Sequence, residues 1–243
     1  MKRTALLIGN SNGLGGVKVD ISNFTKFLMS DIGGRWYDSE IIIRMNPTKA
    51  GLLSTVKNLK NENPDFAFVV FSGHGAFNKN TILELNANEE FIYETDLYEI
   101  AKRQISIFDC CRNVIDLKEY DLSESTRMMK AFSATGNIRE RYEIRIMQAI
   151  EQQIQLYACS INESSLDTEN GGMYTKNLLS AAKSSNDSLY KLVGTTHQEA
   201  AEKTKTEAWT NNLHRQNPTA TLPRCLASQQ LIFSINPNTN HYL

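Results

Sequence analysis

Strand-length apolar runs alternate with amphipathic segments along most of this chain, and that alternation constrains the fold more than any other feature. Residues 4–9 read as a buried strand, and 10–16 as a glycine-rich turn. A helix over 22–32 follows, capped by Ser22, with Phe24, Phe27 and Leu28 on its apolar face. Residues 41–43 supply a second strand. Asn46-Pro47-Thr48 opens a helix carrying Leu52, Leu53, Val56 and Leu59, and 66–71 is a third strand. Alternation over 81–93, broken by Asn86-Ala87-Asn88, predicts a small hairpin. Thr95 then caps a helix through Lys102, before a strand over 105–108, a helix over about 138–153 and a strand over 155–158. The order is β-α-β-α-β-hairpin-α-β-α-β. Parallel crossovers need a helix-sized connection, so the expected class is α/β, with a mainly parallel central sheet between two layers of helices.

A chain of 243 residues, 41% apolar, fits one domain of this kind. The net charge of −1 gives no electrostatic reason to invoke nucleic acid or an anionic membrane as a partner. No apolar run approaches the roughly 20 residues that cross a bilayer, and the apolar stretch at the N-terminus is too short for a signal peptide. The expected location is the cytoplasm. Cys110, Cys111, Cys159 and Cys225 are too few and too irregular for a disulfide framework, and adjacent Cys110 and Cys111 cannot form a CxxC zinc knuckle. Cys159 and Cys225 read as packed thiols. His197, His214 and His241 are scattered and read as solvated or hydrogen-bonded rather than metal-ligating.

In such sheets the ligand lies outside the carboxyl ends of the strands. Two short polar segments stand there: Ser72-Gly73-His74-Gly75 after the third strand, and Asp109-Cys110-Cys111-Arg112-Asn113 after the fourth. A thiol is a useful nucleophile at neutral pH when its thiolate is favoured or a base is in reach, and histidine supplies either role. His74 and Cys111 are therefore a candidate catalytic pair, and the N–H groups of Gly75 and Cys111 are candidate donors to an oxyanion. No carboxylate is singled out as an orienting partner for His74. The glycine-rich segment 10–16 lacks the Gly-Lys-Ser/Thr ending of a phosphate loop and does not match GxGxxG, which argues against nucleotide binding.

Together these residues resemble the caspase and metacaspase group of cysteine peptidases. The similarity rests on Ala5-Leu6-Leu7-Ile8-Gly9-Asn10, the Ser72-Gly73-His74-Gly75 histidine motif and the Asp-x-Cys nucleophile motif ending at Cys111. Tyr157-Ala158-Cys159-Ser160, Gly171-Gly172-Met173-Tyr174-Thr175-Lys176 opening a helix, and a closing strand over 230–236 that completes the sheet extend it over nearly the whole chain. The resemblance implies a three-layer caspase-like fold, with a large-subunit-like part over about 1–137 and a small-subunit-like part over about 138–243. It makes Cys111 the nucleophile and turns Cys110 to the opposite side. The 37-residue separation of His74 and Cys111 is shorter than the roughly 50 residues of caspases, and the Gln-Ala-Cys-x-Gly signature is absent. The first implies a trimmed connection, and the second places the chain nearer metacaspases than true caspases.

Metacaspases carry an aspartate two places before the nucleophile and cut after Arg or Lys, where caspases carry glutamine and cut after Asp. The residue here is Asp109, and Asp20 resembles the second acidic position of that pocket. A carboxylate pair attracts a guanidinium through charge-assisted hydrogen bonds, so the expected cleavage is after Arg, less strongly Lys. The blander readings are that Asp20 caps or precedes the first helix and that Asp109 is a strand-end carboxylate bonded to loop N–H groups. The polar segment 116–137, with Lys118, Arg127 and Lys130, reads as a surface connection or as a self-cleaved activation loop. No cofactor is expected; calcium dependence stays open, since acidic residues are plentiful but no EF-hand-like spacing occurs. The expected partners are a protein or peptide substrate and a regulatory protein or signal in stress or defence. The rival functions are a catalytically silent scaffold of the same fold and a thiol amidase acting on a small molecule.

Overall fold

The computed structural model describes residues 1–115, 137–184, 188–212 and 214–238. The elements in chain order are β1 (Arg3–Gly9), α1 (Val17–Met29), β2 (Ile41–Met45), α2 (Lys49–Glu62), β3 (Phe66–Ser72), β4 (Gly75–Asn78), β5 (Asn80–Glu84), β6 (Phe91–Tyr93) and β7 (Arg103–Asp109). There follow α3 (Ile138–Gln148), β8 (Gln152–Tyr157), β9 (Asp167–Thr168), β10 (Gly171–Gly172), α4 (Met173–Lys183), β11 (Tyr190–Leu192), α5 (Val193–Asn212), β12 (Thr219–Thr221) and β13 (Ile232–Ile235). The central sheet runs β12-β8-β7-β3-β1-β2, parallel throughout except for antiparallel β12 at one edge. This is the expected α/β class.

Alternation within the strands divides the core between two faces. Ala5, Leu7, Phe66, Phe68, Val70, Ile105 and Ile107 pack with Phe24, Tyr142, Tyr174 and Phe233 under α1, α3 and α4. Leu6, Ile8, Val69, Phe71 and Phe108 pack with Leu52, Val56 and Leu59 of α2 and with Ile92, Leu97 and Ile100. Strands buried on both faces read as continuous apolar runs, which is why β1, β3 and β7 stand out in the sequence. α2 starts after Asn46-Pro47-Thr48, as expected, and Thr48 accepts the Gly51 N–H as its cap.

Several boundaries differ from expectation, each for a local reason. The first helix begins at Val17, after Gly16, so Ser22 lies inside it and caps nothing. No full helix forms over 95–102; a single 3₁₀ turn, Glu94–Leu97, stands there. The buried Gln104 side chain accepts from the Ile100 N–H at 2.9 Å and donates to the Leu97 carbonyl at 2.7 Å, taking groups that a helix would have paired. α3 stops at Gln148 because the chain turns extended at Ala149, whose carbonyl accepts from Arg103 Nε at 2.8 Å. The hairpin after His74 has three strands, β4-β5-β6. β13 does not complete the central sheet. It pairs antiparallel with β11 and sends Phe233 against Phe27 and Phe68, while β12 takes the sheet edge.

Candidate active site

β3 and β7 are parallel neighbours whose last paired residues are Ser72 and Asp109. Beyond them the two loops stay side by side: the Gly73 N–H donates to the Asp109 carbonyl at 3.1 Å, and the Phe77 N–H to the Asn113 carbonyl at 2.8 Å. Phe77 also bridges Val114 in parallel. Ser72 with Asp109 and Phe77 with Val114 share an offset of 37 residues, and that is also the offset of His74 and Cys111. Both residues thus stand two positions past the same rung of the sheet, on adjoining loops at its carboxyl edge.

His74 Nε2 lies 2.7 Å from the backbone carbonyl of Asn12. A carbonyl only accepts, so Nε2 carries the proton in the neutral ring and Nδ1 is left as the acceptor. The orienting partner that the sequence did not single out is therefore a main-chain oxygen. Cys110 and Cys111 differ sharply. Cys110 is 2% exposed in the α2-side core, and burial pushes its thiol well above its ordinary pKa. Gly75 is needed beside it, since a Cβ there would lie 2.7 Å from Cys110 Sγ. Cys111 is partly exposed, with Sγ 3.8 Å from the Ser165 carbonyl. Next to it, buried Arg112 lies over the Tyr157 ring at 4.0 Å and donates to Thr81 Oγ1 at 3.1 Å, which anchors the loop.

Asp20 and Asp109 come together at Gly172, whose N–H faces the one and whose Cα side faces the other, although 89 positions separate them in the sequence. Asp20 sits in the first turn of α1 and is 1% exposed; Ser72 Oγ donates to it at 2.8 Å, and the Gly172 N–H at 3.0 and 3.1 Å. It does not cap its own helix. Asp109, 5% exposed, accepts from Ser165 Oγ at 2.6 Å and from the Thr175 N–H and hydroxyl at 3.0 and 2.7 Å. Since Thr175 lies in the first turn of α4, Asp109 caps that helix; its partners are two hydroxyls and a helix N–H rather than the loop N–H groups of the bland reading. Burial and then the neighbouring Asp109 push the Asp20 carboxyl up to about 8. Burial also raises Asp109, against the lowering effect of its bonds to Ser165 and Thr175. A carboxylate offers about four lone-pair sites. The bonds above leave acceptor capacity on Oδ1 of both residues.

The model of the Caspase domain family matches residues 2–224. The chain belongs to the caspase domain family. No curated protein sequence matches it. Among solved structures, caspase-1 from Spodoptera frugiperda aligns with a TM-score of 0.65 at 13% identity, over 98% of this chain and 92% of that one. A protein from Geobacter sulfurreducens aligns with a TM-score of 0.60 at 14% identity, over 95% of this chain and 97% of that one. The fold is caspase-like, and family membership implies a cysteine-peptidase hydrolase.

Sequence reasoning missed the groups around these aspartates in the caspase-family chain. Asp167, whose carboxylate accepts the Gly16 N–H at 3.1 Å, adds a third negative charge near Asp20 and Asp109. The Asp167–Thr168 and Gly171–Gly172 hairpin just ahead of α4 was the available signal. The other histidines lie apart: His197 is buried against the Tyr174 hydroxyl at 2.7 Å and burial lowers it to about 4, while His214 Nε2 lies 3.0 Å from the Ser164 carbonyl. His241 and segment 116–136 lie outside the described residues. Cys159 is buried and Cys225 partly so. Among the described residues no cluster of His, Cys, Asp and Glu could hold a metal, and no helix is long and apolar enough to cross a membrane.

Proposed function

We propose that this chain is a metacaspase-like cysteine endopeptidase that cleaves protein substrates after Arg, and less strongly after Lys. His74 Nδ1 takes the Cys111 thiol proton as sulfur attacks the scissile carbonyl carbon. The N–H groups of Gly75 and Cys111 receive the oxyanion. Collapse breaks the C–N bond, and the imidazolium returns the proton to the leaving amine. Water, deprotonated by His74, then hydrolyses the thioester. The observation that carries the substrate class is the meeting of Asp20 and Asp109 beside the nucleophile strand, with Asp167 as their charged neighbour. Two buried carboxylates favour a cation between them, and a guanidinium satisfies both through parallel N–H···O bonds.

The proposal includes a cytoplasmic enzyme under an upstream signal or regulatory protein, in stress or defence; this part rests on the family resemblance alone. The test compares fluorogenic peptides ending in Arg, Lys and Asp with the wild type, Cys111→Ala and Cys110→Ala. Hydrolysis lost in Cys111→Ala and kept in Cys110→Ala is expected. The reverse pattern overturns the nucleophile assignment, and cleavage after Asp overturns the pocket. The silent-scaffold reading predicts no hydrolysis in any of the three.

A further inference from the structure

Four residues, the histidine among them, form a closed circuit of hydrogen bonds. His74 Nε2–H donates to the Asn12 carbonyl at 2.7 Å. The Asn12 N–H donates to Asn10 Oδ1 at 3.2 Å, Asn10 Nδ2 donates to the Glu84 carbonyl at 3.0 Å, and the Glu84 N–H returns to the His74 carbonyl at 3.1 Å. The circuit holds His74 at both ends, by its ring and by its main chain. Every link except the ring of His74 and the amide of Asn10 is backbone, so Asn10 is the side chain that closes it.

The surroundings of Asn10 suit that task. It is fully buried, immediately past β1, and its own N–H donates to the Ser72 carbonyl at 2.9 Å, which ties it to the end of the strand that leads to His74. Its Cβ lies against Gly73, where an added Cβ would come within 2.8 Å. A second bond from Nδ2 reaches Glu84 Oε1 at 3.4 Å. The bond from its Oδ1 to the N–H two residues on is an Asx turn, which folds the chain back so that the Asn12 carbonyl faces the imidazole. An aspartate has the acceptor for Asn12 and lacks the donor for Glu84. A leucine or alanine has neither.

We infer that Asn10 is the positioning residue of the histidine: through its amide it fixes the Asn12 carbonyl on Nε2 and thereby keeps Nδ1 free and aimed for proton transfer. This rests on the reading of His74 as the base of the peptidase. The role needs an amide, since only that group accepts from one loop and donates to the other in the same plane. It also explains an asparagine buried at the end of an apolar strand, where an unsatisfied amide would be costly.

Two variants cut the circuit at different places. Asn10→Asp keeps the bond to Asn12 and loses the one to Glu84. Asn12→Pro removes only the Asn12 N–H and retains the carbonyl on His74. It suits the local backbone, because Asn12 is exposed at the second position of a turn closed by Leu14 N–H to Ser11 carbonyl at 3.3 Å, with Gly13 at φ +69° in the third. Both variants are expected to lower kcat on an Arg peptide on the order of 10- to 100-fold with KM changed less than about twofold. In ¹⁵N-histidine spectra of the full chain, the His74 signal should move from the Nε2–H tautomer toward a mixture. The pH profile of Cys111 alkylation by iodoacetamide, located by mass spectrometry, should shift with it. Folded variants with unchanged kcat, tautomer and alkylation profile overturn the role of Asn10. A wild type that cleaves no peptide overturns the peptidase reading instead, and the spectra and alkylation still decide the role of Asn10.

Discussion

Buried charge is handled in opposite ways at the two ends of the central sheet. At the amino end, Arg3 and Arg139 face Glu40 and Glu143: Arg139 lies 2.6 Å from Glu40 and 3.0 Å from Glu143, and Arg3 lies 3.3 and 3.7 Å from the same two carboxylates. Anions are paired with cations there, the Met1 amine joining at 3.4 Å from Glu143, and Arg3 also stacks over Trp36 at 4.4 Å. At the carboxyl end, Asp20 and Asp109 are surrounded by hydroxyls, backbone N–H groups and a third carboxylate, Asp167. A fold that only needed stability would treat both ends alike, since like charges in a buried site repel and hold a proton. On the proposed function, the carboxyl end is where the cation of a substrate completes the balance.

The sharpest way to break this contrast is to neutralise the unbalanced end. Asp109→Asn is expected to lower kcat/KM on an Arg peptide by about 100-fold or more, the order of effect of deleting one partner of a buried, charge-assisted pair, with a much smaller change on a peptide carrying a neutral residue there. Steady-state kinetics on the two peptides decide it. At the paired end, Arg3→Met removes the buried guanidinium that Glu40 and Glu143 share and should destabilise the fold by about 3 kcal/mol in denaturant unfolding, with kcat/KM of the folded enzyme unchanged. Activity that followed Arg3 rather than Asp109 would dissolve the distinction between the ends.

pH offers a subtler probe. An unfolded aspartate titrates near 3.9, whereas the folded Asp20 keeps its proton up to about 8. Between these values the folded state binds more protons, so this contribution to stability is full below about pH 4, declines as pH rises through about 8, and then levels. Asp20→Asn should flatten that decline in thermal unfolding followed across pH. By the same linkage, an Arg peptide should bind Cys111→Ala more tightly as pH rises toward 8 and release a proton as it does, which calorimetry in buffers of different ionisation enthalpy detects. The smallest effect belongs to Cys110→Ala. Loss of a packed thiol next to Gly75 should cost about 1 kcal/mol of stability and leave hydrolysis in place.

Much of this contrast was written in the sequence at one end and hidden at the other. β1, β3 and β7 are legible because strands buried on both faces are apolar without interruption, and α2 because Pro47 and Thr48 announce it. Strand order then brings Ser72-Gly73-His74-Gly75 and Asp109-Cys110-Cys111 to one edge. What the sequence does not reveal are contacts in which one partner is backbone: the Asn12 carbonyl on His74, the Gly172 N–H on Asp20, the Thr175 N–H on Asp109. Main-chain groups carry no residue signature. The missing helix over 95–102 has the same origin, because the Gln104 side chain supplies partners that propensity assigns to a helix. β13 leaves the sheet because Phe233 finds aromatic partners in the core, a tertiary preference that its short apolar run could not express.

The measurement closest to the central claim is the ratio of kcat/KM for two peptides that differ only in the residue before the cleaved bond, Arg in one and Asp in the other. The unbalanced carboxylates, Asp109 at the end of β7 and Asp20 in the first turn of α1, predict a preference for Arg of at least about 100-fold, lost in Asp109→Asn. Equal rates, or faster cleavage after Asp, would contradict it.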